Sequence, residues 1–324
     1  MVPGKLAIVV PCYNEQEVLP QSLPVLKKVL QQLQSQQQIS ADSQIVFVDD
    51  GSQDQTWSLI SQFSQTNANV AGIKLSRNFG HQNALLAGLS TVSDADFIVT
   101  IDSDLQDDPQ VIAQMVQQYY AGAEVVYGVR NNRDSDSRFK RTTAECFYKF
   151  MNFLGVKLVP DSADFRLLSQ RAAQVLLDYP ERNLFLRGLV PLVGFPSAKV
   201  YYRRQPRAAG VSKYPLLKML HLALDGITSF SVAPIKLIMG LGLVIVAVSL
   251  FLLIYTIIQK IRGDVVSGWS SLMISIWGLG GIQLICISVI GEYIAKIFNE
   301  VKRRPRFTIE KNLYHKQKHE EKND

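Results

Sequence analysis

Histidine and cysteine are scarce in this 324-residue chain, which has 4 histidines and 3 cysteines. Cys12, Cys146 and Cys286 are an odd number without metal-ligand spacing, so the sequence indicates neither a disulfide framework nor a zinc site. The histidines form no HExxH motif and no triad signature, and the chain has no GxxxxGK[ST] loop and no GxGxxG after its first strand. These absences argue against zinc proteases, triad hydrolases, P-loop NTPases and dinucleotide-binding enzymes.

The first residues lack the charged region, long apolar core and cleavage site of a signal peptide. We therefore expect the soluble part of the chain to stay in the cytoplasm, where its thiols are reduced. Long uncharged stretches occur only near the end, at Leu237 to Gln259 and Val265 to Gly291, roughly 23 and 27 residues that can each cross a bilayer core. We predict two transmembrane helices; the alternative, buried helices of a soluble core, seldom run that long.

The chain carries a net charge of +6, and its basic residues are unevenly placed. They crowd into Arg130 to Arg141, Arg203 to Lys218 and Lys296 to Arg306, all of which precede or flank the apolar stretches. This placement favours membrane lipids and phosphates as partners and argues against nucleic acid. The positive-inside rule puts both termini in the cytoplasm, so we predict an integral protein of the plasma or inner membrane with two spans.

Two further features belong to the membrane part. Ser212 to Ser231 has one apolar face and one polar stripe, which predicts a helix lying in the membrane interface, with an ordinary amphipathic core helix as the alternative. Glycines on both predicted spans are typical of closely packed helices and leave a homo-oligomer through the transmembrane helices open. They are Gly240, Gly242, Gly278, Gly280 and Gly281.

The first part of the chain alternates between short apolar runs and segments with helical periodicity. The predicted strands are Leu6 to Val10, Ile45 to Val48, Val70 to Leu75, Phe97 to Ile101 and Val125 to Val129. The predicted helices include Val18 to Leu33, Trp57 to Phe63, Ala84 to Leu89 and Val111 to Tyr120. This alternation predicts an α/β domain with a doubly wound, mostly parallel sheet, in which ligands bind outside the carboxyl ends of the strands.

Carboxylates follow three of these strands, in the segments 11–15, 49–54 and 102–108. Packing offers no reason to gather like charges at one sheet edge, because they repel one another unless a cation intervenes. Asp102 and Asp104 can both reach one hard divalent ion that also takes phosphate oxygens. The alternative is an ordinary acidic turn at a strand end.

Four ordered motifs resemble those of family 2 glycosyltransferases: PxYNE at 11–15, VDDGSxD at 48–54, SRNFGHQNAL at 76–85 and DSDLQDDP at 102–109. The resemblance covers the whole chain and is strongest to the branch that uses polyprenyl phosphate as acceptor. It implies a GT-A type nucleotide-sugar-binding domain over 1–205, juxtamembrane amphipathic helices over 206–233, two transmembrane helices over 234–292 and a cytoplasmic basic tail over 293–324. The QxxRW motif of processive synthases is missing, which favours a single transfer.

The resemblance also implies roles for individual residues. The nucleotide would be held by Pro11, Tyr13, Glu15, Asp49, Asp50, Arg77 and Asp102. The metal, Mg²⁺ or Mn²⁺, would be held by Asp102, Asp104 and Gln106. The catalytic residues would be Asp102, Asp104, Asp161, Asp164 and Arg166. His81 would be structural or support the site from behind its ligands.

The acceptor determines the expected mechanism. A phosphate monoester is largely a dianion at neutral pH, so it can attack the anomeric carbon without a general base. Cations must then hold two anionic substrates together. The candidates for binding the acceptor phosphate are Arg130, Arg138, Lys140, Arg141, Arg207, Ser212 and Lys213; each could instead be a solvated residue or contact anionic lipid.

The leading hypothesis is an inverting transfer of glucose from UDP-glucose to undecaprenyl or a similar polyprenyl phosphate, giving a lipid-linked monosaccharide for cell-envelope glycosylation. A second hypothesis changes only the donor, to GDP-mannose, UDP-GlcNAc or a UDP-amino-arabinose. A third is a non-catalytic, nucleotide-sensing subunit of a membrane channel or flippase. Polar residues within the predicted spans are few, which disfavours a permeation path.

Overall fold

The computed structural model describes residues 2–131, 159–160, 162–182, 184–203, 233–262 and 268–314. These residues form two compact units. The first contains the described residues up to Arg203 together with those from Arg304 onward, and the second contains those between 233 and 303. The predicted interfacial helix at Ser212 to Ser231 lies outside the described residues.

A sheet of 8 strands forms the centre of the first unit. The strands are β1 Leu6–Cys12, β2 Gln44–Asp49, β3 Val70–Leu75, β4 Phe97–Thr100, β5 Val125–Arg130, β6 Ser162–Ser169, β7 Ser197–Tyr202 and β8 Ile309–Asn312. Their order is β7-β5-β6-β4-β1-β2-β3-β8. β6 runs antiparallel to β4 and β5, and β8 runs antiparallel to β3. The other neighbours are parallel, so the predicted α/β sheet is confirmed as a mixed one.

Helices cover both faces of this sheet. They are α1 Leu19–Ser35, α2 Thr56–Thr66, α3 His81–Thr91, α4 Ile112–Tyr120, α5 Gln170–Asp178 and the short α6 Leu186–Leu189. Every residue of β1 is buried, as expected for a strand covered on both sides. Leu6, Ile8 and Val10 pack in the core that includes α1 and α4, whereas Val9 faces α3, where a Cβ on Gly88 would collide with it.

Two regions of the sheet were not predicted. β6 and β7 carry charged or polar residues at several positions, and β8 belongs to the segment predicted as a basic tail. β8 pairs with the edge strand β3 through its backbone. The buried Tyr314 follows it and donates a hydrogen bond to Asp94 over 2.7 Å. Residues 309–314 thus belong to the same unit as the first strands of the sheet.

The second unit contains two long helices, α7 Ala233–Ile261 and α8 Trp269–Lys302. α7 contains the first predicted span, Leu237 to Gln259, and α8 contains the second from Trp269 to Gly291. Within the described residues, one segment, Gly278–Lys302, is long and apolar enough to cross a membrane by its length and composition. The 34 residues of α8 extend past the predicted end of the second span at Gly291.

Candidate active site

The loops that follow β1 and β2 are joined to each other at the carboxyl edge of the sheet. The backbone amide of Asn14 donates to the Ser52 hydroxyl over 2.9 Å, and the backbone amide of Gln53 donates to Asn14 Oδ1 over 2.9 Å. The Glu15 amide donates to the hydroxyl of buried Thr56 over 2.9 Å. These reciprocal bonds give the PxYNE and VDDGSxD motifs one shared surface, on which Tyr13 and Glu15 are partly exposed.

Asp49 and Asp50 lie below that surface, with exposures of 0% and 3%. Asp49 Oδ1 accepts from the Ser52 amide at 3.1 Å, whereas its Oδ2 is buried without a hydrogen-bond partner among the described residues. The two oxygens of Asp50 accept from the Phe79 amide at 2.7 Å and the Gly80 amide at 2.9 Å. Burial raises the pKa of both carboxyl groups, against these hydrogen bonds. Asp50 therefore fixes the loop over 76–80.

That loop carries Arg77, whose guanidinium carbon lies 4.1 Å from the centroid of the Phe79 ring. Gly51 has a φ of 68°, and a Cβ there would collide with the backbone of Arg77. Only glycine therefore allows the second motif to pack directly on the loop. Pro11 is buried within β1 and supports the site from below.

Four carboxylates converge after β4 and at the start of β6: Asp102, Asp104, Asp107 and Asp164. Partial burial and the nearby charges of Asp164, Asp107 and Asp104 raise the pKa of Asp102 to about 6, although His81 opposes the shift. His81 Nε2 lies 3.5 Å from Asp102 Oδ1 and 3.7 Å from Asp164 Oδ2. The imidazole thus joins the two carboxylates, as expected of a residue that supports the site.

The residues present fit a divalent cation that a substrate helps to hold. No group of three or more His, Cys, Asp or Glu side chains at metal-ligand spacing occurs among the residues that the structure describes. Mg²⁺ in phosphate-transfer sites commonly takes one or two protein carboxylates and completes its shell with phosphate oxygens and water. Asp102 and Asp104, with Gln106 beside them, provide such a partial set of metal ligands. Asp104 Oδ1 accepts a hydrogen bond from the backbone amide of Gln106 at 3.2 Å.

Asp164 is surrounded by cations instead. Arg166, whose side chain is 4% exposed, donates a short hydrogen bond to Asp164 Oδ1. Arg187 donates to the two Asp164 oxygens over 3.4 and 3.3 Å. Although burial alone would raise the pKa of Asp164, the charges of Arg187, Arg166 and His81 hold it well below its usual range. The Thr100 hydroxyl ties the Asp164 backbone to the end of β4 over 2.6 Å.

Arg130 at the end of β5 forms an internal ion pair. Its Nε donates to Asp107 Oδ1 over 3.0 Å and its Nη2 donates to Oδ2 over 3.1 Å. The Tyr202 hydroxyl donates to the same Asp107 over 2.6 Å, and this carboxylate is 1% exposed. Asp107 and Tyr202 thus hold Arg130, which was predicted from the sequence to bind the acceptor phosphate. The Arg130 side chain remains 29% exposed.

The structure places every predicted site residue that it describes at the carboxyl edge of the sheet. Those placed at the carboxyl edge are Pro11, Tyr13, Glu15, Asp49, Asp50, Arg77, Asp102, Asp104, Gln106, Arg130, Asp164 and Arg166. Seven predicted residues lie outside the described part of the chain: Asp161, Arg138, Lys140, Arg141, Arg207, Ser212 and Lys213. Arg187 was not predicted, since no motif marks it and only the fold brings it to Asp164.

The carboxylates and the hydrogen-bonded loops lie at the carboxyl ends of the parallel strands, which is the edge where open α/β sheets bind their ligands. The chain belongs to glycosyl transferase family 2, because the model of that family, described as "Glycosyl transferase family 2", matches residues 7–177. The predicted family and the prediction of an enzyme are thereby confirmed.

Curated relatives match almost the whole chain. An uncharacterized glycosyltransferase of Bacillus subtilis (strain 168), YkoT, is 52% identical over 96% of this chain and 93% of its own length. The SfII prophage-derived bactoprenol glucosyl transferase of Shigella flexneri is 40% identical over 95% of this chain and 98% of its own length. A prophage bactoprenol glucosyl transferase homolog of Escherichia coli (strain K12) is 39% identical over 95% and 99%.

Among solved structures, a mannosyltransferase from Pyrobaculum calidifontis in complex with GDP-Man and Mn²⁺ is similar to this chain with a TM-score of 0.43. The two chains are 14% identical, and the match covers 94% of this chain and 88% of the mannosyltransferase. Glucosyl-3-phosphoglycerate synthase from Mycobacterium tuberculosis gives a TM-score of 0.46 at 16% identity, covering 70% of this chain and 79% of that one. The family assignment rests on the sequence relatives.

Proposed function

We propose that this chain transfers glucose from UDP-glucose to a polyprenyl phosphate, with inversion at the anomeric carbon. The observation that carries the proposal is full-length similarity, at about two-fifths identity, to enzymes named bactoprenol glucosyl transferase. The carboxylates at the sheet edge, which suit a metal-bound diphosphate, agree with it. The product is a lipid-linked glucose that a later transfer can use in the cell envelope.

The donor nucleotide is assigned to the joined loops after β1 and β2. Tyr13 and Glu15 are partly exposed there, and the Arg77 guanidinium packs on the Phe79 ring in the neighbouring loop. Asp49 has a buried oxygen that accepts no hydrogen bond from a described residue, which suits a donor group on the ligand. Asp50 contributes by holding the loop of Arg77, because its oxygens already accept two backbone amides.

Asp102 and Asp104, with Gln106, would hold Mg²⁺ or Mn²⁺ against the diphosphate. The ion would neutralise charge on the departing nucleoside diphosphate as a Lewis acid. A phosphate oxygen of the acceptor forms the new bond to the anomeric carbon while the bond to the diphosphate oxygen breaks. The cations around Asp164 keep that carboxylate ionised. Asp164 accordingly orients these cations, and the acceptor dianion needs no base.

The helices α7 and α8 complete the proposal. We assign both as membrane spans, with the catalytic sheet and both termini on the cytoplasmic side. The described span candidate Gly278–Lys302 and the basic residues at the end of α8 support this topology. Labelling of single cysteines introduced at Gly268 and Arg304 in sealed vesicles tests it: Arg304 must react only from the cytoplasmic side, and Gly268 only from the opposite side.

The activity is tested with purified full-length protein in detergent, polyprenyl phosphate, Mg²⁺ or Mn²⁺, and radiolabelled UDP-glucose. Parallel reactions contain GDP-mannose or UDP-GlcNAc. We expect a lipid-extractable product from UDP-glucose that NMR identifies as the β-linked sugar phosphate, and loss of that product in Asp104→Ala. A metal-independent transfer, an α-linked product or a faster reaction with another donor would contradict the corresponding part of the proposal.

A further inference from the structure

Arg187 is a second arginine on a carboxylate that one arginine already neutralises. Arg166 is buried, donates to Asp164 Oδ1 and also faces the backbone oxygen of Leu186 at 3.5 Å. With both arginines and Asp164 charged, the three side chains carry a net positive charge. A buried ion pair needs its own partner but gains little from an additional cation. Arg187 therefore adds a positive charge that the Arg166–Asp164 pair does not require, close to the carboxylate of Asp102.

The hydrogen bonds of Arg187 are long for an ion pair. They measure 3.4 Å from Nε and 3.3 Å from Nη2, whereas charge-assisted N–H···O bonds are typically about 2.7–2.9 Å. The Arg187 side chain is 42% exposed, ten times more than that of Arg166 at 4%. Among the described residues, Asp164 alone accepts hydrogen bonds from Arg187, and Nη1 is not used. The guanidinium can therefore bind a further acceptor without leaving its position.

The backbone that carries Arg187 is firmly placed. The Leu186 amide donates to Gln82 Oε1 in the first turn of α3 over 2.8 Å. Phe185, Leu186 and Leu189 are all buried, with exposures of 7%, 3% and 2%. A hydrogen bond and three buried side chains thus hold this short helix in place, and the helix presents the exposed cation of Arg187. Preorganised cations of this kind stabilise charge without reorganisation during the reaction.

The position of Arg187 is central to the proposed active site. His81 connects Asp164, the partner of Arg187, with Asp102, the proposed metal ligand, over contacts of 3.7 and 3.5 Å. Phosphate groups of both substrates must meet near Asp102 if the proposed function is right. Arginine binds phosphate oxygens through two N–H groups in one plane.

We propose that Arg187 binds a phosphate oxygen during the transfer, either of the donor diphosphate or of the acceptor phosphate. This inference rests on the proposed function. Asp164 acts as a positioning residue that holds the guanidinium until the substrate arrives. Both ligands present a phosphate oxyanion. Loss of Arg187 should weaken UDP binding if the ligand is the donor diphosphate, and should raise the KM for polyprenyl phosphate if it is the acceptor.

The test compares Arg187→Gln with Arg187→Lys and with the control Arg171→Gln. Arg171 is 65% exposed and pairs with Glu124, so its loss removes the same charge outside the site. We expect Arg187→Gln to lower kcat/KM by about 100-fold. Arg187→Lys should recover part of that loss because it keeps the charge. Arg171→Gln should stay within about twofold of wild type. Thermal melting shows whether each variant is folded, and the lysine variant is used if the glutamine variant is not.

The affinity for UDP with Mn²⁺, measured by calorimetry, and the KM for polyprenyl phosphate separate the two sources. Weaker UDP binding identifies the donor diphosphate, and a raised acceptor KM with unchanged UDP binding identifies the acceptor phosphate. Both support the inference, whereas a folded Arg187 variant with both constants equal to those of Arg171→Gln overturns it. If the wild-type protein binds UDP but does not transfer to polyprenyl phosphate, the proposed function fails. UDP affinity then decides alone, and an unchanged value overturns the inference.

Discussion

The charges at the two edges of the catalytic sheet differ in how completely they are paired. At the amino ends of the strands, Lys5 Nζ lies 2.7 Å from Asp94 and 3.9 Å from Asp42, and the Tyr314 hydroxyl bonds to the same Asp94. At the carboxyl ends, Asp102 has carboxylates as neighbours, and its pKa is raised to about 6. Charges paired within the protein stabilise a fold, whereas charges gathered without a full set of partners indicate a site for an external ligand.

The largest effect should follow removal of a proposed metal ligand. We expect Asp104→Asn to lower the transfer rate by about 1000-fold, a loss comparable to that of a main charge-stabilising group in other enzymes. The melting temperature should stay the same or rise, because one of several repelling carboxylates is lost. Transfer assays across a Mn²⁺ titration, with melting curves recorded without metal, measure both effects. A large fall in stability would show that the charges at the carboxyl ends stabilise the fold, as those at the amino ends do.

Asp107 tests an ion pair at the carboxyl edge whose carboxylate is buried. Asp107→Ala leaves the guanidinium of Arg130 without its internal partner and should cost about 3 kcal/mol of stability. Tyr202→Phe removes a single hydrogen bond to the same carboxylate and should cost about 1 kcal/mol. Denaturant unfolding of the full-length protein measures both changes. Equal costs for the two variants would contradict the assignment of Asp107 as the ionic partner.

Asp94 is the matching test at the amino edge. Lys5 has a side chain that is only 6% exposed, so Asp94→Asn leaves a buried cation with Asp42 at 3.9 Å as its remaining charged partner. We expect a loss of about 2 kcal/mol, or roughly 4–8 °C in melting temperature, for a domain of this size. The kcat of the folded variant should equal that of wild type. A reduced kcat with unchanged stability would break the comparison.

The smallest effect is the pH dependence of the stability that Asp94 contributes. Although partial burial opposes the shift, hydrogen bonds from Lys5 and the Tyr314 hydroxyl and the charge of Lys5 lower the pKa of Asp94 from its ordinary value. A lowered pKa in the folded state stabilises the protein fully above the unfolded value and less as the pH falls through the folded value. The melting-temperature difference between wild type and Asp94→Asn should be constant above about pH 5 and shrink below about pH 4. A difference that grows in acid would contradict this assignment.

The five strands predicted from apolar runs are all present, because strands buried on both faces need unbroken apolar sequence. β6 escaped prediction since Asp164 and Arg166 interrupt its apolar pattern. In the structure these two residues neutralise each other, which allows Arg166 to be buried beside the partly exposed Asp164. β8 escaped because an edge strand of 4 residues pairs through its backbone and needs no apolar pattern.

The site was predictable where motifs follow strands, since the carboxyl ends of parallel strands meet at one edge. The sequence did not reveal which carboxylates would be exposed. Asp49 and Asp50 are buried beneath their loop, and Arg130 is paired with Asp107, although adjacent letters in the motifs look equivalent. Arg187 lies 23 residues from Asp164 in the chain, and only tertiary packing brings them together.

β8 has a consequence for how the protein is made. Lys74 and Glu310, which form an ion pair between β3 and β8, are 236 residues apart. The ribosome therefore releases the last strand of the catalytic sheet only after both long helices have been synthesised. Until then the edge of β3 has no strand to pair with. Translation order thus makes closure of the catalytic sheet one of the final steps of folding, after both long helices have left the ribosome.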